Sequence, residues 1–127
     1  MREILFRGKT INSGEWVYGN LIQDKYIVGD IIDWEEDYFN TEWWAAVIPE
    51  TVGQYTGIED ANGKKIFEGD ILEIYMQHYK QTKPYVIDDI HEFYSDYYQT
   101  DMYYAITNLK VIGNIHDNPE LVNEELK

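Results

Sequence analysis

Short stretches in which apolar and polar residues alternate recur along the chain, and this period of two predicts β-strands. The predicted strands cover residues 4–6, 15–22, 25–32, 45–48, 71–76 and 102–115. Gly19-Asn20 indicates a bulge within the second strand, Gly29-Asp30 interrupts the third, and Pro49 follows the fourth. We therefore expect a mostly β fold with a minor α component.

The best specified element is a β-hairpin over residues 55–76 that turns at Asp60-Ala61-Asn62-Gly63. Asp60 can accept backbone hydrogen bonds at the first turn position, Asn62 tolerates the third, and Gly63 suits the left-handed conformation. These residue types predict a three-residue loop, which is a type I turn followed by a glycine bulge.

Two registers are compatible with this turn. The three-residue loop places Ile58 opposite Ile66, two β-branched side chains that pair well across strands. A two-residue turn at Asn62-Gly63 would place Ile58 opposite Phe67 instead.

A second break, Glu68-Gly69-Asp70, precedes the strand at residues 71–76. Asp70 can accept backbone hydrogen bonds in this turn, and we favour that structural role over an acid–base pair of Glu68 and Asp70. A Gly-Asp step that leads into an alternating strand is common in small SH3-like barrels.

Two segments have helical patterns. Asp88 or Asp89 is a suitable N-cap for a central helix over residues 88–100. Its apolar stripe at helical spacing comprises Ile90, Phe93, Tyr94, Tyr97 and Tyr98. Asn118-Pro119-Glu120 has the form of a helix start and predicts a short C-terminal helix that ends near Leu126.

Residues 33–44 mix acidic with aromatic side chains and show no clean period, which favours an ordered loop or a helical turn held by its aromatics. This segment contains a candidate interaction surface, which comprises Trp34, Glu35, Glu36, Asp37, Trp43 and Trp44.

Charge is the outlying property of the composition. Ten Lys and Arg residues against 24 Asp and Glu residues give a formal net charge of −14. Residues 30–42 and 88–101 contain acids and no base. Acidic balance serves solubility in most proteins, and it repels a phosphate backbone. A sharper hypothesis is a surface that mimics nucleic acid or docks a basic partner.

Other features limit the class of protein. The chain has no cysteine, which excludes disulfides and thiolate metal sites. Residues 1–7 do not resemble a signal peptide, and no apolar run reaches the length of a membrane span. We expect one soluble cytoplasmic domain over residues 1–127, with no membrane contact.

The candidates for chemistry are weak. His78, His91 and His116 share no metal-ligand spacing, and the chain has neither a glycine-rich phosphate loop nor a serine in a nucleophile elbow. We expect no catalytic residues, no cofactor and no metal, and hence no enzyme. A carboxylate-based hydrolase, metal-assisted or not, is kept as an alternative.

A nucleic-acid site is a further alternative. If the basic side chains met on one face beside Trp16 and Tyr18, they would form a weak site for a single strand. The candidate contacts are Arg7, Lys9, Lys64 and Lys65.

Three blocks of sequence resemble the YopX family of small proteins encoded by phages and prophages of Gram-positive bacteria. The first is Phe6-Arg7-Gly8-Lys9 followed by Trp16-Val17-Tyr18-Gly19, the second covers residues 52–71, and the third covers residues 111–121. Residues 77–104 depart from the family pattern: a strand pair containing glycine is expected there, and this chain has an acidic, tyrosine-rich segment.

The resemblance implies an SH3-like β-barrel core, a cytoplasmic setting in a bacterial host, self-association into homo-oligomers, and no particular reaction. It also implies that the glycines and aspartates of the turns build the barrel and do not form a binding site. The predicted structural turn residues are Gly57, Asp60, Asn62, Gly63, Gly69 and Asp70. We expect a non-enzymatic accessory protein that binds a host or phage protein.

Overall fold

A computed structural model describes residues 3–76, 85–88 and 106–123. The chain divides into two compact units, Met1–Tyr55 and Thr56–Lys127. The described residues are mostly β, with one 3-10 turn and one short helix. The expectation of a mostly β fold is confirmed, whereas the expectation of a single domain stays a prediction.

The first unit contains an antiparallel sheet of five strands. They are β1 (Phe6–Lys9), β2 (Trp16–Ile22), β3 (Tyr26–Val28), β6 (Trp44–Ala46) and β7 (Gly53–Glu59), which runs on into the second unit. Their order in the sheet is β6-β3-β2-β1-β7. A 3-10 turn, Pro49–Thr51, lies between β6 and β7.

The core of the first unit forms where β3 meets its neighbours. Ile27 and Val47 are fully buried, and Val28 is nearly so. Gly19 lies in the middle of β2, where a Cβ atom would collide with the carbonyl oxygen of Val28. The glycine predicted to mark a bulge therefore allows β2 and β3 to approach closely, and β2 continues through it.

Strands β4 (Ile31–Trp34) and β5 (Phe39–Thr41) form a two-stranded sheet of their own. Their register places Trp34 opposite Phe39, and the amide of Glu35 donates to the carbonyl of Tyr38 at 2.9 Å to close the turn. We call residues 31–41 the arm. The expected loop or helical turn is wrong here, because cross-strand pairing organises this segment.

The second unit is built on an antiparallel sheet in which β9 (Asp70–Met76) lies between β10 (Tyr85–Val86) and β11 (Ile106–Asn114). Five buried side chains form its core, namely Ile66, Leu72, Ile74, Ile87 and Leu109. The elements are the end of β7, β8 (Lys65–Phe67), β9 (Asp70–Met76), β10 (Tyr85–Val86), β11 (Ile106–Asn114) and the helix α1 (Glu120–Asn123).

The hairpin between β7 and β8 has the predicted three-residue loop. The amide of Gly63 donates to the carbonyl of Asp60 at 3.0 Å, and the amide of Asp60 donates to the carbonyl of Lys64 at 2.8 Å. Gly63 has φ +81°, whereas Asn62 is not in the left-handed region. Because both common two-residue hairpin turns need positive φ at their first position, which would be Asn62, the alternative register is excluded. Ile58 packs against the cluster that contains Ile66.

The carboxylate of Asp60 connects this hairpin to a strand that is distant in sequence. Oδ1 accepts hydrogen bonds from the amides of Asn62 at 2.8 Å and Lys64 at 2.9 Å. Oδ2 accepts from the amide of Val111 in β11 at 3.1 Å. The amide of Ala61 adds a bond to the carbonyl of Leu109 at 2.9 Å, so the turn is fastened to β11 at two neighbouring points.

These contacts move the pKa of Asp60. Burial raises the pKa, but the amides of Val111, Lys64 and Asn62 and the charge of Lys64 lower it, and the net pKa lies below the usual value. A lowered pKa in the folded state means that the ionised carboxylate stabilises the fold.

The second predicted turn is also used structurally. Asp70 is buried, and its Oδ2 accepts from the amide of Phe67 at 2.8 Å. Gly69 has φ +92°; its amide donates to Ile87, and its carbonyl accepts from Ile115 at 2.9 Å. The turn therefore joins the end of β8 to the segments that follow β10 and β11.

The two predicted helices have different outcomes. The C-terminal helix is confirmed as α1, which begins directly after Pro119, and the amide of Leu121 donates to the carbonyl of Asn118 at 3.1 Å. Its predicted end near Leu126 lies outside the described residues, as does the predicted central helix beyond Asp88.

The hairpin turn generates the first prediction. A Cβ atom at Gly63 would meet nothing within 4 Å, so its cost comes from the left-handed backbone alone. Gly63→Ala should lower the free energy of unfolding by about 1–2 kcal/mol. Asn tolerates this conformation, so Gly63→Asn should lower the free energy of unfolding clearly less than Gly63→Ala does. Urea denaturation measures both, and equal losses would contradict a conformational origin.

The hydrogen bonds of the Asp60 carboxylate lead to a second prediction. In Asp60→Asn an amide group replaces one carboxylate oxygen, so an acceptor is lost at the Val111 amide. We expect a loss of about 1–3 kcal/mol in the free energy of unfolding at neutral pH. The difference in the free energy of unfolding between wild type and Asp60→Asn should reach its full size above about pH 5. It should shrink as the pH falls below about 4, because Asp60 then becomes protonated in the wild type.

Glu59→Gln is the control for Asp60→Asn, since it removes the same charge from the adjacent exposed side chain. Its stability should match wild type within about 0.5 kcal/mol. A loss in Asp60→Asn that is constant across this pH range would show that the carboxylate charge is not responsible.

Candidate protein-binding surface

The arm exposes large apolar side chains. Every residue from 31 to 40 is exposed, and the accessible fraction reaches 70% for Trp34, 63% for Ile32 and 52% for Phe39. Ile31 and Tyr38 belong to the same group. A two-stranded hairpin without a packed face is only marginally stable in water, and clustered exposed apolar groups mark sites of interaction.

Acidic side chains alternate with these apolar groups along the sequence. No Lys or Arg occurs between Lys25 and Lys64 in the sequence. The acids in and beside the arm are all exposed, and they comprise Asp30, Asp33, Glu35, Glu36, Asp37 and Glu42. The arm therefore combines exposed apolar side chains with acidic side chains and contains no Lys or Arg.

The base of the arm is held by backbone contacts. The amide of Gly29 donates to the carbonyl of Trp43 at 2.9 Å, and the amide of Glu42 donates to the carbonyl of Asp30 at 2.7 Å. Trp43 packs so closely against Gly29 that a Cβ atom there would lie 2.5 Å from the indole Nε1. These contacts fix where the arm leaves the unit.

A cleft of about 280 Å³ lies beside this base. Its lining includes the acidic residues Glu3, Asp30 and Glu42 together with Trp43. Several carboxylates in one cleft attract a cation, and an indole beside them adds an aromatic contact.

The sequence-predicted interaction surface maps onto this region in three parts. Trp34, Glu35, Glu36 and Asp37 lie in the arm, at the end of β4 and in its turn. Trp44 lies on β6, where it is 66% exposed and meets Tyr26 edge to face with centroids 5.9 Å apart. Trp43 lies at the base and is only partly exposed.

Sequence reasoning missed some of the apolar residues of this surface. Ile31, Ile32, Tyr38 and Phe39 were not among the candidates, although the structure exposes them all. A signal was present, because Trp34 and Phe39 flank four residues of which three are acidic. Such a polar stretch between two aromatic residues is compatible with a hairpin turn.

The structure brings together some of the candidate nucleic-acid contacts. The guanidinium carbon of Arg7 lies 4.6 Å from the centroid of the Trp16 ring, and Nζ of Lys9 lies 5.7 Å from it. Arg7 is only 4% exposed, however, which places its guanidinium inside the unit. Lys64 and Lys65 belong to the second unit. The four-residue site stays a prediction.

The predicted turn residues carry backbone roles. Gly57 has φ +88°, and the others lie in the turns at Gly63 and Gly69 described above. In residues 3–76, 85–88 and 106–123, no group of three His, Asp or Glu side chains is placed to hold a metal ion. No helix in these ranges is long and apolar enough to cross a membrane.

The fold and the surface together define a mostly β protein with an exposed acidic and aromatic arm. The family model described as YopX protein matches residues 5–123, so this chain belongs to the YopX family. The crystal structure of protein EF1440 from Enterococcus faecalis is similar, with a TM-score of 0.51 and 23% identity over 96% of this chain and 99% of that chain. This likeness supports the fold. No curated protein matches the chain.

The exposure of the arm generates a prediction that separates binding from folding. Trp34→Ser/Phe39→Ser should change the free energy of unfolding by less than about 1 kcal/mol, because both side chains are exposed. Ile27→Ala, a substitution in the core of the same unit, should cost about 2–5 kcal/mol. Urea denaturation compares them. A comparable loss in the arm variant would assign its aromatic residues to the fold.

Proposed function

We propose that this chain is an accessory protein, encoded by a phage or prophage, that binds other proteins without catalysing a reaction and self-associates. The exposed aromatic arm is the observation that carries the binding function. The phage setting and the cytoplasmic location are part of the proposal because the resemblance to the YopX family implies them.

Burial of the arm by a partner is energetically favourable. Fully burying a large apolar side chain stabilises a complex by about 1.5–3 kcal/mol, and the arm exposes Ile31, Ile32, Trp34, Tyr38 and Phe39. Tryptophan and tyrosine are also the residues that most often dominate binding energy at interfaces. The arm is therefore suited to contact a protein surface.

The proposal includes an SH3-like barrel core. Two observations in the second unit support it: short strands follow one another through tight turns at Gly63 and Gly69, and residues of β8, β9 and β11 contribute to the cluster around Leu72. This core would carry no reaction.

The alternatives remain as predictions with less support. Nucleic-acid binding needs accessible cations, and the burial of Arg7 removes one of the four from contact with a phosphate. A carboxylate-based hydrolase needs converging acidic groups, and the three acids that line the cleft, Glu3, Asp30 and Glu42, are all exposed to water.

The proposal is tested by comparing proteins captured by the purified chain from a bacterial lysate. Wild type should enrich specific proteins that Trp34→Ser/Phe39→Ser loses. Ile11→Ser/Ile48→Ser, which removes exposed apolar groups outside the arm, should retain them. Light scattering of the wild type should also give a mass above that of a 15.1 kDa monomer.

Identical captured proteins for all three chains would contradict binding through the arm. A monomeric mass at high protein concentration would contradict self-association and leave the binding function in place.

A further inference from the structure

From the chemistry of the arm we infer the class of its partner: a protein segment that presents Lys or Arg residues beside apolar side chains. This inference rests on the proposed protein-binding function and specifies it further.

Charge complementarity is the first argument. Six exposed acids lie in or next to the arm, and the nearest basic residues in sequence are Lys25 and Lys64. A partner with basic groups gains from these charges on approach, whereas an acidic partner is repelled. Complementary charge contributes mainly to specificity and to the rate of association.

The apolar side chains are the second argument. Charge alone would be served by a polar loop, but the arm places Trp34 opposite Phe39 beside the acidic turn. An Arg or Lys side chain can lay its aliphatic stem on an aromatic surface while its charged end reaches a carboxylate. The arrangement therefore fits a segment in which basic and apolar residues are neighbours.

The cleft at the base of the arm extends the same chemistry. Asp30 and Glu42, which flank the arm in sequence, line it together with Trp43. A cationic side chain of a bound segment would find carboxylates and an indole there. The partner's contact with the arm would then continue to its base.

The same charges disfavour other occupants. Two copies of the arm placed face to face would bring their acidic groups together, so self-association is expected to use another part of the chain. Nucleic acids and anionic lipid surfaces carry the same sign of charge as the arm and are repelled.

The experiment uses the full chain and three fluorescent peptides that share alternating leucine positions. The intervening positions are all Arg or Lys, all Gln, or all Glu. Fluorescence anisotropy gives the dissociation constant of each. We expect the basic peptide to bind at least about tenfold more tightly than the others. Its affinity should fall by about tenfold between roughly 50 and 300 mM NaCl.

Two arm variants and one control variant locate the interaction. The variants Trp34→Ser and the neutralised turn should each raise the dissociation constant of the basic peptide by about tenfold or more. The control removes the same number of charges at exposed acids outside the arm and should bind as wild type does. The neutralised turn is Glu35→Gln/Glu36→Gln/Asp37→Asn, and the control is Glu15→Gln/Glu50→Gln/Glu59→Gln.

The outcomes distinguish this inference from the proposed function. Equal binding of the Gln and basic peptides, or unchanged binding in the neutralised turn, overturns a basic partner. The same holds if no peptide binds while lysate proteins are still captured in an arm-dependent way. In these cases protein binding through the arm stands. If no peptide binds and no captured protein depends on the arm, both are wrong.

Discussion

The second unit depends on the carboxylate of Asp60, which is the common acceptor for three backbone amides. Two of these amides lie in the turn, and the third, at Val111, is 51 residues away in sequence. One side chain thus fixes the local turn and also joins it to β11, which is itself paired with β9. Because hydrogen bonds to an ionised acceptor are stronger than neutral ones, this link reinforces a contact between segments that are distant in sequence. Ile66 and Leu109, which lie on the two sides of this link, pack in one core.

The first unit is specified in a different way, by close backbone approach. Gly19 lets β2 and β3 pack at a distance that no other residue would allow, and Ile27 is buried beside this contact. The arm leaves this framework at Gly29 and Trp43 and contributes no residue to the buried core. Regions with few buried contacts open more easily than cores do, and binding segments are commonly drawn from them. The same chain therefore separates residues that specify the fold from residues that are available to a partner.

Local turn chemistry was readable from sequence because all the interacting groups are close in the chain. Asp60, Asn62 and Gly63 predict the loop, and the loop in turn sets the register of Ile58. The bond from Val111 to Asp60 was not readable, since nothing in either local segment identifies the distant partner. The arm was missed as a hairpin because no buried face imposes a period of two on residues 33–44. Arg7 was expected on a surface, and only the tertiary contact with Trp16 shows its burial.

The central claim is that the arm is separate from the residues that specify the fold. Amide hydrogen exchange, followed residue by residue by NMR, tests this claim most directly. The amide of Val111, which lies in β11 and donates to the Asp60 carboxylate, should exchange only through global opening. The amide of Glu35, which closes the arm, should exchange through local opening, faster by orders of magnitude. Equal protection of Glu35 and Val111 would contradict the separation, since it would show that the arm is a part of the cooperative fold.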